Sequence, residues 1–192
     1  PLDLGKIRGL LERDPNVAPG RPYFLAAGRL DKIKRYDRLI DVYFQGRFFD
    51  RYDLVILGAG SELAALRAQA EALGIGKRVH FPGFASNPYS WMAHSSVFVC
   101  CSDSEAFPVG LLEALFCGAR VVSADCDYGP DEILGGGLSS FLVKPIDDIG
   151  AYVSTIENAL RDYPFVDELT FEKYQPRIIL ADYKKRWRDF VG

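Results

Sequence analysis

The twelve residues Ser102-Asp103-Ser104-Glu105-Ala106-Phe107-Pro108-Val109-Gly110-Leu111-Leu112-Glu113 hold two glutamates, Glu105 and Glu113, with seven residues between them. The apolar run from Val109 to Cys117 predicts a helix ended by Gly118. Glu105 precedes that helix, and Glu113 sits about two turns along it at roughly 3.6 residues per turn. Phe107, Pro108, Val109 and Gly110 would form the helix start, where unbonded N–H groups and the helix dipole favour a phosphate. One element thus offers an acceptor in a loop, an anion cradle and a second acceptor behind it. A nucleotide sugar needs these parts: acceptors for the sugar and ribose hydroxyls, and donors for the diphosphate between them. Taken singly, Glu105 reads as an acidic cap and Glu113 as an ordinary helix residue. Taken together they read as a site.

Other loops could serve the same ligand. Gly28-Arg29-Leu30-Asp31-Lys32-Ile33-Lys34 begins with a residue that permits a sharp turn and carries Arg29 and Lys34 as an anion clamp. The guanidinium suits phosphate through its fork, and the ammonium acts as a point charge. The alternative is a solvated basic loop. Gly58-Ala59-Gly60 resembles the start of a dinucleotide fingerprint, but the third glycine position holds Leu63. A tight strand-to-helix turn is the favoured reading there, although a bare glycine edge would also let a ligand approach. In Asp125 to Glu132, Gly129-Pro130 opens a helical turn with Glu132 behind it, which reads either as a ligand-closing loop or as a plain capped turn.

Each of these loops follows an apolar run. Tyr23 to Gly28, Asp53 to Leu57, Arg78 to Phe81, Ser96 to Cys101, Ala119 to Ser123 and Ser139 to Val143 read as strands. Amphipathic helices are expected between them: Tyr36 to Phe44, Ser61 to Leu73 with Ser61 as cap, Asn87 to Ala93, Val109 to Cys117, a turn at Asp131 to Leu134, and Asp147 to Tyr163 capped by Asp147. Unalternating strands separated by helices predict an α/β fold, a Rossmann-like parallel sheet of about six strands covered on both faces. Ligands of open parallel sheets bind beyond the carboxyl ends of the strands, where the loops above lie. Residues 1–22 read as a linker or N-terminal extension, 23–165 as the binding domain and 166–192 as a C-terminal helical segment. Tyr183, Trp187 and Phe190 stand there among Lys184, Lys185, Arg186 and Arg188.

Composition narrows the class. Hydrophobic residues make up 48% of the 192, with 13 Phe, 10 Tyr and 2 Trp, which excludes a disordered chain. No apolar run approaches the roughly 18 residues of a spanning helix. A net charge of −3 argues against holding nucleic acid by bulk charge. Cys100, Cys101, Cys117 and Cys126 make no C-x-x-C pair, so reduced thiols in a cytoplasmic protein are expected rather than a disulfide frame or a zinc site. His80 and His94 are expected to be structural. The chain starts at Pro1, which points to a piece of something longer.

In this order the motifs resemble the C-terminal, donor-binding half of a retaining GT-B glycosyltransferase of group 1, also called family 4. The resemblance rests on Gly28-Arg29-Leu30 with Lys34, Leu54 to Gly60, Arg78 to Phe84, Ser104 to Val122 with its Glu-x7-Glu, and Gly129-Pro130-x-Glu132. It spans about residues 23 to 160. It implies that Arg29 and Lys34 bind the donor diphosphate, that Glu105 contacts the donor sugar, and that Glu113 takes the ribose hydroxyls. Arg29, Lys34 and Glu105 are then the catalytic set. Gly28, Gly58, Phe81, Gly83, Phe107, Pro108, Val109, Gly110 and Glu113 form the nucleotide site, with the loop from Phe81 to Phe84 near the base. It implies no metal and no cofactor, the nucleotide sugar, a UDP-sugar for preference, being a substrate. The acceptor would be a glycan or lipid-linked molecule held by a missing N-terminal domain, in the cytoplasm or at the cytoplasmic face of a membrane. Ala106 and Arg35 stand where such proteins commonly have glycine, and Gly110 where they have a bulkier residue. Arg35 would add a third cation near the diphosphate. A sugar-nucleotide epimerase and a non-catalytic nucleotide-binding module remain as alternatives.

Overall fold

The structure, a computed structural model, describes residues 3–11 and 20–166. Six strands, β1 (Tyr23–Ala27), β2 (Asp53–Leu57), β3 (Val79–Gly83), β4 (Val97–Cys100), β5 (Val121–Ala124) and β6 (Leu142–Val143), form one sheet. Its order is β3-β2-β1-β4-β5-β6 and every pairing is parallel. Strand order reverses between β1 and β4, where Phe24 faces Val97 and Leu25 faces Phe98 in register. The Asp53–Leu57 strand is buried along its whole length, as an apolar run covered on two faces must be.

Helices α2 (Tyr36–Gln45), α3 (Leu63–Ala72) and α7 (Ile149–Arg161) form one layer, in which α2 packs on both of the others. The other layer holds α1 (Leu4–Leu11), α4 (Pro88–His94), α5 (Val109–Phe116) and the single turn α6 (Pro130–Ile133), with α4 between α1 and α5. Residues 4–11, expected as part of a linker, are therefore a helix seated on the domain. Ile7 is buried there, and the Asn87 side chain donates to the Leu10 carbonyl at 3.0 Å.

Other boundaries differ for local reasons. The sixth strand shrinks to Leu142–Val143 because the glycines at 135–137 turn the chain into a 3₁₀ helix over Gly136–Phe141, where the Ser139 hydroxyl bonds the Gly136 carbonyl. Asp148 rather than Asp147 caps α7, accepting from the Ala151 N–H at 2.9 Å. Helix α3 starts at Leu63 with Glu62 at its cap position, not Ser61. The third strand runs on through Pro82 to Gly83. It is an edge strand paired to β2 alone, so a proline that lacks an N–H is accommodated. The aromatic-basic stretch from Tyr183 to Phe190 lies outside the described residues.

Candidate nucleotide site

The loops after β1 and β4 face each other at the point where strand order reverses. Between them lies a cleft of about 320 Å³ lined by Gly28, Arg29, Lys34, Tyr36, Cys100, Ser102, Glu105 and Phe107 to Leu111. It adjoins a second, largely apolar hollow of about 410 Å³ that shares Gly28, Arg29 and Gly110 and adds Gly58, Phe84, Met92 and Glu113. A Cβ on Gly110 would meet only the Phe98 ring, at 3.8 Å. Gly110 thus presents bare backbone to both hollows.

At the polar end, the Lys34 ammonium donates to both oxygens of Glu105, at 2.7 and 2.9 Å. The Ser102 hydroxyl adds a bond of 2.6 Å to Oε1. The pair is largely withdrawn from water, with Lys34 24% and Glu105 10% exposed. Cys100 lies beneath it, 3.8 Å from Glu105 Oε1, and burial together with that carboxylate pushes its thiol pKa up. Burial likewise raises the Tyr36 phenol, which faces the same carboxylate and stays protonated on the cleft floor. Arg29 stands at the mouth, 83% exposed and 3.2 Å from Asp31.

Gly28 and Gly58 are dictated by proximity. The Gly28 N–H donates to the Leu57 carbonyl at 3.0 Å, and a Cβ on Gly58 would run into the Gly28 carbonyl. Both backbones have positive φ, where glycine is favoured. The anion cradle is narrower than the sequence suggests. Pro108 has no N–H, and the Val109 N–H is bonded to the Phe107 carbonyl at 2.9 Å. Gly129 packs against the same loop, a Cβ there falling 2.6 Å from Pro108 Cδ. The loop after β5 thus braces the loop after β4.

Three expected residues fall elsewhere. Phe81 lines a separate groove at the outer edge of β3 with Arg67 and His80. Gly83 ends that strand, its carbonyl accepting from the Gly58 N–H at 2.8 Å. The aromatic that reaches the apolar hollow is Phe84, 85% exposed, because the strand runs two residues beyond Phe81. Arg35 is turned from the cleft: it is bonded to Asp37 and, at 3.0 Å, to Asp103. Asp103 also takes the buried Arg38 at 2.7 Å. Burial opposes the Asp103 charge, yet the two guanidiniums hold its pKa below the ordinary carboxylate value. Neither histidine lines either hollow: His80 lies 2.8 Å from Asp53, and His94 2.8 Å from the Ser90 carbonyl.

The structure adds residues that are hard to pick out in the sequence. Ser102 stands three before Glu105, but its bond runs from side chain to side chain in a loop ahead of α5, so no capping pattern marks it. Tyr89, whose hydroxyl donates to Glu113 Oε1 at 3.0 Å, and Asp103 act across long sequence separations, where no short-range pattern exists.

A doubly wound parallel sheet with cations and carboxylates around a cleft at its switch point defines a nucleotide-type α/β domain. The particular family follows from comparison with known proteins. The model of the glycosyl transferases group 1 matches residues 10–175, and the chain belongs to that family. It is 34% identical over 147 residues to the N-acetylgalactosamine-N,N'-diacetylbacillosaminyl-diphospho-undecaprenol 4-alpha-N-acetylgalactosaminyltransferase of Campylobacter jejuni, covering 77% of this chain and 40% of that protein. It is 33% identical over 141 residues to the lipopolysaccharide 1,6-galactosyltransferase of Salmonella typhimurium, covering 69% and 39% respectively. The chain spans about 40% of the length of these relatives. Among solved structures, Staphylococcus aureus TarM in complex with UDP shares the fold at a TM-score of 0.76 and 20% identity, over 90% of this chain and 36% of that one. The lipopolysaccharide outer core galactosyltransferase WaaB in its apo form matches at 0.66 and 26% identity, over 88% and 51%.

Proposed function

We propose that this chain is the donor-binding domain of a glycosyltransferase that moves a sugar from a nucleotide sugar, UDP-linked by preference, to a glycan or lipid-linked acceptor with retention of configuration. The observation that carries the reading is the two-part cleft: a Lys34–Glu105 pair beside Arg29 at one end, and Glu113 in an apolar hollow at the other. In this reading Arg29 and Lys34 bind the diphosphate and stabilise the charge that grows on the leaving nucleoside diphosphate. Fixed charges aimed at a developing charge usually do more for the rate than any other single device. Glu105 takes a hydroxyl of the donor sugar, Glu113 takes the ribose, and the base lies against Phe84 and Met92. No metal is required.

The acceptor side belongs to a preceding domain, so the chain alone binds donor and transfers little. The two relatives named above act on lipid-linked and lipopolysaccharide acceptors. That supports a cytoplasmic protein working at a membrane surface, and among the described residues no helix is long and apolar enough to cross one. The test is calorimetry with UDP, GDP and ADP on the chain and on Glu113→Ala. UDP should bind, and the variant should lose most of the affinity. No binding by any of the three, or binding indifferent to the variant, overturns the reading.

A further inference from the structure

The carboxylate given to the ribose has a neighbour that nothing in the motif requires. Tyr89 stands at the second position of α4, after Pro88, and that helix is fixed from several sides. Ser90, Trp91 and Met92 are buried. The Tyr23 hydroxyl bonds the Trp91 carbonyl at 2.8 Å, and α1 packs along the outside of α4. From this seat the Tyr89 hydroxyl crosses to α5 and donates to Glu113 Oε1 at 3.0 Å. Among the described residues no second hydrogen-bond donor reaches that carboxylate.

Resting on the proposed function, we propose that Tyr89 is a positioning residue for nucleotide recognition: it holds Oε1 of Glu113 so that Oε2 accepts from the hydroxyls of a ribose. An acid in an apolar hollow has a choice of rotamers and a tendency to take up a proton. One fixed donor removes part of both freedoms, and what remains is an acceptor of set direction. The ligand this geometry selects is a ribonucleotide, in preference to one lacking the ribose hydroxyls.

The charges around the pair agree. Burial raises the Glu113 pKa, and the Tyr89 hydrogen bond followed by the Lys6 ammonium on α1 pulls it back. Arg29 lines the same hollow, and Cys117, one turn further along the chain, has its thiol raised by burial and by Glu113. Tyr89 itself is pushed up to about 12, by burial first and Glu113 second, so it remains a donor throughout the working range. Removing its hydroxyl leaves burial less opposed. The Glu113 pKa then moves further up, and ionised Glu113 is lost at a higher pH than in the native chain.

The experiment titrates the chain, Tyr89→Phe and Glu113→Ala with UDP and with 2′,3′-dideoxy-UDP between pH 5 and 8. Thermal melts check that all three are folded. Tyr89→Phe should weaken UDP about five- to tenfold at neutral pH, the scale of one modest hydrogen bond to a charged group. The acidic limb of its binding profile should move to higher pH, and the dideoxy nucleotide should bind all three proteins alike. An equal loss for both nucleotides, or an unmoved pH profile, overturns the positioning role. If Glu113→Ala loses UDP while Tyr89→Phe does not, Tyr89 alone is misassigned. If neither variant changes UDP binding, or native chain fails to bind it, the ribose reading falls as well.

Discussion

Replacing Glu105 by Gln isolates the charge pair at the polar end of the cleft. Lys34 Nζ lies 2.7 Å from Oε1, so at an effective dielectric of about 20 the bare attraction is about 6 kcal/mol. Desolvation and side-chain ordering offset most of that. Exposed pairs are worth about 0–1 kcal/mol, and breaking a buried one costs about 3–5. With exposures of 24% and 10% this pair stands between those cases. Glutamine keeps an oxygen for Ser102 and Lys34, so the variant should lose about 1–2 kcal/mol, a fall in Tm of about 2–8 °C.

Binding should move the other way. In the free protein Glu105 already neutralises the ammonium that a diphosphate would use, and it repels the diphosphate besides. For a phosphate placed about 5 Å from that carboxylate, at a dielectric of about 40 for an open cleft, removing the negative charge is worth about 1.7 kcal/mol. Glu105→Gln should therefore bind UDP about ten- to twentyfold more tightly, with a steeper salt dependence. An intact UDP-sugar should gain less, since it loses an acceptor for a sugar hydroxyl. Calorimetry at two salt concentrations measures both. A variant that binds UDP no better than the native chain refutes the idea that Lys34 is held in reserve for the diphosphate.

Arg35 has left-handed backbone with φ near 50°, so Arg35→Gly relieves about 1 kcal/mol of strain and loses ion pairs worth about as much. Stability should change little. UDP affinity should stay within about twofold, and a tenfold drop in a titration would return Arg35 to the diphosphate. Gly58→Ala places a methyl against the Gly28 carbonyl. It should cost about 3 kcal/mol or more by strain and overpacking, and unchanged chemical denaturation would refute the close approach of the two loops.

The sheet was legible because buried parallel strands are written as continuous apolar runs. The polar half of the cleft was legible because each of its loops directly follows such a run. Lys34 and Glu105 could thus be assigned to one site, although their bond to each other spans 71 positions. What escaped notice depended on how elements stop or cross. Phe84 took the place of Phe81 because edge strand β3 tolerates Pro82 and continues to Gly83. Arg35 looked like a cleft cation because charge can be read from a sequence and direction cannot. Its carboxylate partner Asp103 lies 68 residues away. Tyr89 sits on a helix whose pattern reports burial, and a hydroxyl aimed at the next helix leaves no mark on that pattern. The eight residues of α1 passed for linker because a helix that short shows its apolar face clearly only against the surface it covers.

Asp103 imposes an order on how this sequence can drift. It holds two guanidiniums at once, one half-buried on Arg35 and one buried on Arg38. If Arg35 is exchanged first, for the glycine its backbone would accept, Asp103 keeps a partner and nothing is stranded. If Asp103 is exchanged first, two cations face each other and one of them has no access to water. Descendants of this sequence should therefore pass through forms with glycine at 35 and aspartate at 103, and seldom through the reverse. The order in which these two sites tolerate exchange is set by which of the two arginines can reach solvent.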